Sequence, residues 1–257
     1  MTAIADDPKG RIMINLLASL RPASLRLLAA LLLTVCTLLA LPQPAMAGAG
    51  SDRLNPDETL GPGAAISSAA GTLRMQVDGN LVLYANQNVP LWASNTYAPG
   101  AYAMMQGDGN LVLYQPRGND RAAVWSSGTP GRGRSSLVMQ SDGNLVVYGP
   151  GGATWSSNTY RQAYAVNRFS LYRWGPEQWP CLNQLWQRES GWNERAKNRS
   201  SRAYGIPQAL PASKMAAAGP DYLTNPSTQI RWGEDYIAGR YGNPCRAWDH
   251  SQRVRWY

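Results

Sequence analysis

Histidine and cysteine are almost absent from this chain of 257 residues, which has one histidine and three cysteines. Cys36 falls in an N-terminal apolar run and reads as a hydrophobic passenger, leaving Cys181, Cys245 and His250. That set does not match the spacing of a structural zinc site, so neither a metal nor any other cofactor is expected. Long hydrophobic runs are missing too. The longest, Leu27–Leu41, is fifteen residues, short of the roughly twenty needed to cross a bilayer, so no stable membrane anchor is expected. Acidic residues are few, 16 against 24 Lys and Arg. No two of them stand at a spacing that demands the two-carboxylate geometry of ordinary glycosidases.

Arg11, Arg21 and Arg26 lead into the apolar run, and Ala45-Met46-Ala47 offers a small-x-small cleavage site before Gly48. Residues 1–47 therefore read as a secretory signal peptide, with Met13 as an alternative initiator, and the protein as secreted and cell-wall associated. From Gly48 onward, 20 basic against 14 acidic residues leave a balance of +6. The charge is uneven: residues 48–160 carry six Arg against seven acids, and residues 161–257 carry fourteen Lys and Arg against seven. A basic surface suits polyanions, and outside a cell these are wall polymers or lipid headgroups rather than nucleic acid. The plainer alternative is solubility. In a secreted chain the remaining pair, Cys181 and Cys245, reads as one disulfide joining the first helix of the C-terminal part to a segment near the end.

A ten-residue phrase occurs three times: M-Q-V-D-G-N-L-V-L-Y at Met75–Tyr84, M-Q-G-D-G-N-L-V-L-Y at Met105–Tyr114 and M-Q-S-D-G-N-L-V-V-Y at Met139–Tyr148. Each is followed by a tryptophan phrase, at Leu91–Thr96, Val124–Thr129 and Thr154–Thr159. Units this short must pack on one another around a shared core. In an extended chain Gln76, Asp78, Asn80, Val82 and Tyr84 project to one side while Leu81 and Leu83 face the other. Asp-Gly-Asn is also a tight-turn signal that can interrupt the strand. Repeated hairpins would explain the glycine and the leucines. They leave unexplained an amide, a carboxylate, a second amide and a phenol at fixed offsets, a set that can address several hydroxyls of one sugar.

The phrase resembles Q-x-D-x-N-x-V-x-Y, the signature of the bulb-type, monocot mannose-binding lectins. Over Leu54 to Tyr160 the resemblance implies an all-β, threefold β-prism of three four-stranded sheets. It also implies three mannose pockets: Gln76, Asp78, Asn80, Val82 and Tyr84; Gln106, Asp108, Asn110, Val112 and Tyr114; and Gln140, Asp142, Asn144, Val146 and Tyr148. Where Gly79 stands, many plant members carry a disulfide-bonded cysteine, so packing alone must hold this domain. The implied partners are mannose-containing glycans.

Tyr160–Trp174 is aromatic and basic rather than rich in Pro and Gly, which points to a linker over residues 161–178 that docks rather than flexes. Beyond Arg173 lie seven of the ten tryptophans. Leu182, Leu185, Trp186 and Glu189 fall on one helical face. Gly191 then ends the helix, so a carboxylate stands on the apolar stripe at the negative end of the helix dipole. Both effects favour the protonated acid, although a glutamate in this position also serves as a cap or ion-pair partner.

The run Glu189-Ser190-Gly191-Trp192-Asn193, Ala203–Gln208, Ala209–Asp221, Asn225–Ile230 and Arg240–Ser251 resembles the actinobacterial lytic transglycosylase-like domains. More distantly it is similar to the soluble lytic transglycosylases of the lysozyme-like superfamily. The resemblance implies a mainly α, lysozyme-like domain over residues 179–257 that cleaves peptidoglycan, with Glu189 as catalytic acid. It places Tyr204-Gly205-Ile206-Pro207-Gln208 along the glycan cleft. Substrate contacts are expected from Ser190, Trp192, Tyr204, Gln208, Tyr236, Trp248 and His250, with about half of the aromatic ones in the core instead. Glu194, Asp221, Glu234, Asp235 and Asp249 are expected as solvated charges. The family's tyrosine-asparagine pair near the end is replaced by Trp248–Ser251, and Arg199 and Arg255 stand where close relatives show Pro and Gly. The expectation is a secreted, lectin-targeted lytic transglycosylase acting in wall remodelling or antibacterial attack. A binding-only, lectin-like bacteriocin and a lysozyme-type hydrolase stand as alternatives, and the oligomeric state is open.

Overall fold

The computed structural model describes residues 51–257. The expected signal peptide over residues 1–47, with Cys36 and Met13, lies outside the described residues. Twelve short strands come first: β1 (Arg53–Leu54), β2 (Thr59–Leu60), β3 (Ala65–Ser68), β4 (Gly71–Met75), β5 (Leu81–Ala85), β6 (Val89–Ala93), β7 (Tyr102–Met105), β8 (Leu111–Arg117), β9 (Asp120–Ser126), β10 (Ser136–Met139), β11 (Leu145–Gly149) and β12 (Gly152–Ser156). They form three four-stranded sheets in the orders β3-β4-β5-β6, β2-β7-β8-β9 and β1-β10-β11-β12. All neighbouring strands whose register is resolved run antiparallel. The early strands β1 and β2 complete the sheets of the third and second repeats, so the three copies are interlocked.

Each phrase is a hairpin rather than one continuous strand. Met75 pairs with Leu81, Met105 with Leu111 and Met139 with Leu145, with the Asp-Gly-Asn segment as the turn between them. The turn forms because Gly79, Gly109 and Gly143 adopt φ of +88°, +96° and +86°, a region that costs a residue with a Cβ. Beyond it the strand alternation resumes. Leu81, Leu83, Leu111, Leu113, Leu145 and Val147 point inward with Met75, Met105 and Met139 and make one fully enclosed core. Trp92, Trp125 and Trp155, one from each sheet, meet edge to face with ring centres 5.5, 5.5 and 5.9 Å apart. Aromatic pairs of this geometry stabilise beyond their buried area.

The tryptophan phrases also clip the turns. Ser94 Oγ accepts from Leu81 N at 3.0 Å, and Thr96 Oγ1 donates to Gly79 O at 2.6 Å. Ser127 with Thr129 does the same for Leu111 and Gly109, and Ser157 with Thr159 for Leu145 and Gly143. Backbone groups that the turn takes out of the ladder thereby find partners.

Four helices follow: α1 (Tyr160–Asn167), α2 (Trp179–Ser190), α3 (Pro226–Tyr241) and α4 (Pro244–Val254). The segment 161–178 lies against both halves. Asn167 accepts from Asn86 N at 3.2 Å and donates to Ala70 O at 3.2 Å. Val166 and Phe169 share one apolar cluster with Ala85 and Val89 of the prism and with Leu182, Trp186 and Ile230 of the helices. A Cys181–Cys245 disulfide, with Cα atoms 4.9 Å apart, ties the first turn of α2 to that of α4. With the cysteines 64 positions apart in sequence, loop-closure entropy makes such a bond worth about 4 kcal/mol. No helix among the described residues is long and apolar enough to cross a membrane.

Glu234 corrects an expectation. It is not solvated but fully buried, one oxygen accepting from Arg168 Nε at 2.8 Å and the other, Oε1, without a partner among the described residues. Arg168 also donates to Tyr172 OH, which donates to Asp235. Glu194 pairs with Arg161 at 2.5 Å, and Asp221 accepts from Asn225 and Thr228 ahead of α3. Burial pushes the Glu234 carboxyl up to about 8 against the pull of Arg168. A folded-state pKa above the unfolded value, about 4.3 for Glu, contributes stability that is complete below that value and is lost as the pH rises towards 8. Glu234→Gln removes this titration while keeping an acceptor for Arg168. Denaturant unfolding at pH 5 and pH 8 should therefore show the variant gaining on the wild-type protein as the pH rises; an unchanged difference would contradict the assignment.

Candidate functional site

On each prism sheet the hairpin brings five side chains to one outer face. The glutamine Nε2 donates to the tyrosine hydroxyl in every copy: Gln76 to Tyr84 at 2.7 Å, Gln106 to Tyr114 at 2.9 Å and Gln140 to Tyr148 at 2.8 Å. Asp78, Asp108 and Asp142 each use Oδ1 to accept the backbone N–H of Asn80, Asn110 and Asn144, at 3.0, 3.0 and 2.9 Å. The asparagine Oδ1 is engaged as well, by Ser94 in the first copy, by Ser127 and Thr129 in the second, and by Ser156, Ser157 and Thr159 in the third. Part of the conserved-looking polar set therefore builds the turn. Aspartate Oδ2, asparagine Nδ2, glutamine Oε1 and the tyrosine O–H hydrogen have no partner among the described residues. Together they present two acceptors and two donor groups on each face. Val82, Val112 and Val146 are at most 4% exposed and form the floor of each face.

The helical part builds a second kind of site. Leu182, Leu185 and Trp186 bury one face of α2, and Glu189 continues that face at the last turn. Gly191, at φ 60°, stops the helix. Ser190 Oγ donates to Trp186 O or Ile206 O, which lie 3.2 and 2.9 Å away, and so ties the helix end to the Gly205–Gln208 strip. Fully buried Gln229 holds that strip: its Oε1 accepts from Ile206 N at 2.8 Å and its Nε2 donates to Glu194 O and Tyr222 O. Glu189 opens into a cleft of about 470 Å³ lined also by Asn198, Gln208, Leu210, Arg255, Trp256 and Tyr257. Burial raises the Glu189 carboxyl above the ordinary range, partly offset by Arg188. The Tyr257 hydroxyl accepts from Trp186 Nε1 at 3.0 Å and donates to Pro207 O at 2.9 Å. Burial first, then the charge of Glu189, holds that phenol well above its usual value and keeps it neutral.

Of the residues expected to touch substrate, Gln208 lines this cleft. Tyr204 lines an adjoining cavity and donates to Leu223 O at 2.8 Å. Trp192 corrects an expectation, because it is 3% exposed, packed on Trp186 and Trp179 and bonded to Asn183. Ser190 is half-buried, with its hydroxyl hydrogen given to a backbone carbonyl. Tyr236 stacks on Trp232 and meets Tyr241 and Tyr257 edge to face. Trp248 carries Arg188 over its ring, and His250 packs between Tyr241 and Trp256; neither lines the Glu189 cleft. Arg255, Trp256 and Tyr257 were not expected there. They arrive because Arg255, at φ 68°, turns the chain after α4, and an Arg-Trp-Tyr run beyond a helix carries no motif that announces it.

The Transglycosylase SLT domain family matches residues 176–250, the stretch that carries Glu189 and most of its cleft. The prism is 41% identical to monomeric monocot mannose-binding lectins from Gastrodia elata, a match covering 42% of this chain and 98% of that one, with a TM-score of 0.38. The chain thus joins a prism like those of the bulb-type mannose-binding lectins to a Transglycosylase SLT domain. The lectin domain also matches the mannose-specific agglutinin of snowdrop (Galanthus nivalis) complexed with methyl-α-D-mannoside, at 36% identity over 42% of this chain and 97% of that one, TM-score 0.36. A lectin from Marasmius oreades matches at 33% identity over 46% and 98%, TM-score 0.40. No curated protein matches the chain.

Gly205 gives the SLT domain strip a sharp requirement. Its φ is +77°, and a Cβ there would lie 2.4 Å from Gln229 Oε1. Gly205→Ala combines the left-handed penalty with overpacking and should cost about 2–4 kcal/mol. Gly239 in α3 has open space around it, so Gly239→Ala should gain about 0.5–1 kcal/mol. Chemical denaturation of both variants checks the contrast; equal effects would refute it.

Proposed function

We propose that this is a secreted lytic transglycosylase that cleaves peptidoglycan while its bulb-type lectin domain holds it to mannose-containing glycans, in wall remodelling or antibacterial attack. The observation that carries the enzymatic reading is a single acid in the right electrostatic state. Among the described residues lining the cleft, Glu189 carries the one acidic side chain, and burial keeps its proton on at higher pH than an exposed glutamate would. An inverting or retaining hydrolase needs two such groups; a transglycosylase needs one.

Glu189 donates its proton to the glycosidic oxygen as the bond to C1 of the muramic acid breaks. The resulting carboxylate then takes the proton of the 6-hydroxyl of the same sugar, whose oxygen closes on C1 to form a 1,6-anhydro ring. The acid is regenerated, and no water is consumed. Tyr257, neutral and fixed between Trp186 and Pro207, holds the wall beside Glu189. The surplus of basic residues in the SLT domain suits an anionic wall.

For the prism, the unpartnered Oδ2, Nδ2, Oε1 and phenol hydrogen on each face match the alternating donors and acceptors of sugar hydroxyls, and the snowdrop agglutinin was crystallised with a mannoside.

Glu189→Gln keeps shape and hydrogen bonding but has no proton to deliver, so muropeptide release from purified peptidoglycan should fall at least about a hundredfold with the fold unchanged. Wild-type kcat/KM should decline as the pH rises through the raised Glu189 value. Mass spectrometry should find products ending in 1,6-anhydro muramic acid. Reducing ends would instead identify a hydrolase, and no release at all a binding protein.

Asp78→Asn, Asp108→Asn and Asp142→Asn keep the acceptor that caps each turn but place a donor where Oδ2 stood. Affinity for mannosides should weaken stepwise as the three are combined, read by titration calorimetry or glycan array. A full-strength response in the triple variant would sink the lectin assignment.

A further inference from the structure

The three faces share their five motif residues but not their surroundings. Cross-strand register puts Arg74 opposite Val82 and Thr72 opposite Tyr84. Directly paired residues in antiparallel strands share a face, so Arg74 stands in the row that runs through the first motif. The corresponding residue is Met104, opposite Val112, in the second copy and Val138, opposite Val146, in the third. Arg74, Thr72, Tyr84 and Asn88 line a cavity of about 370 Å³, which begins at the motif tyrosine.

Two cations on the other two sheets are already engaged. Arg121 lies 4.3 Å over the Tyr114 ring and donates to Tyr102 OH at 3.2 Å. Arg53, in the strand beside Val138, donates to Asp52 at 2.9 and 3.3 Å. Arg74 makes one bond, to Gly63 O at 3.3 Å, and no ion pair among the described residues. Its guanidinium retains most of its fork of donors, the geometry that fits a phosphate or carboxylate.

We infer that the first face is an anion-selective subsite: it takes a mannoside bearing a phosphate ester, with Arg74 on the phosphate, whereas the second and third faces take neutral mannosides. The inference rests on the mannose-binding reading above and adds the substituent that distinguishes one pocket from the other two.

The test uses the full chain carrying Asp108→Asn and Asp142→Asn, so that the first face dominates binding. Methyl α-mannoside, its 6-phosphate and the corresponding glucoside 6-phosphate are titrated by calorimetry in dilute buffer and at high salt. The mannoside 6-phosphate should bind about threefold or more tightly than the neutral mannoside, and the ratio should shrink as salt screens the contact. Adding Arg74→Met, which installs the side chain of the second face, should bring the ratio to about one. A ratio of one with Arg74 present overturns the inference. So does a preference that survives Arg74→Met, or equal binding of the glucoside phosphate, which would mark capture of bare phosphate by the basic SLT domain. No response to methyl α-mannoside, with Arg74 present, would overturn the mannose-binding reading itself and the inference with it.

Discussion

Close backbone approach at the three turn glycines governs this molecule. Each turn must be left-handed so that the hairpin can fold back, and each is crowded by chain from elsewhere. A Cβ on Gly79 would lie 2.1 Å from the Ala98 carbonyl oxygen, and one on Gly109 2.7 Å from that of Gly133. On Gly143 it would lie 2.1 Å from the Ala163 side chain. The first two contacts are internal to the prism, but the third receives α1, the first helix of the other half. One constraint therefore sets the Asp and Asn of each turn and also seats the first helix of the SLT half on the prism. Any side chain at Gly79 would have to displace that neighbouring carbonyl. Core packing and the Ser-x-Thr clips hold the turns.

The two halves are continuous in packing. Val166 and Phe169 join prism residues Ala85 and Val89 to the helical core, while Arg168 reaches into the helices to a fully buried carboxylate. Removing one partner of such a pair is costly because the other stays buried. The segment 161–178 is thus a wall shared by the prism and the helical half. Gln229 plays the matching part inside the SLT domain, joining three loops with its one amide.

Motif residues carry two duties. In the prism, the same Asp and Asn that face solvent also cap the turn, so folding by itself gives a reason for their recurrence. In the helical half, Ser190 and Trp192 lie within the most recognisable phrase of the domain and yet serve its packing, one through carbonyl bonds and the other through stacked indoles. Glu189 stands apart because its neighbours give it burial without a hydrogen-bond partner.

Local pattern determined much of this protein. The threefold repeat, the inward leucines, the helix carrying Glu189 and the Cys181–Cys245 pairing were all legible, because periodicity, turn chemistry and a solitary cysteine pair act over short or forced ranges. The three-sheet prism and the SLT domain followed from phrases long enough to identify a family. Tertiary structure alone decided which aromatics face the cleft, that Glu234 is buried, that Arg255–Tyr257 return beside Glu189, and that Arg74 shares a face with the first motif. Each of these depends on which distant segment covers a side chain or pairs with its strand, and burial and cross-strand register are properties of the packed chain that no single stretch of sequence contains.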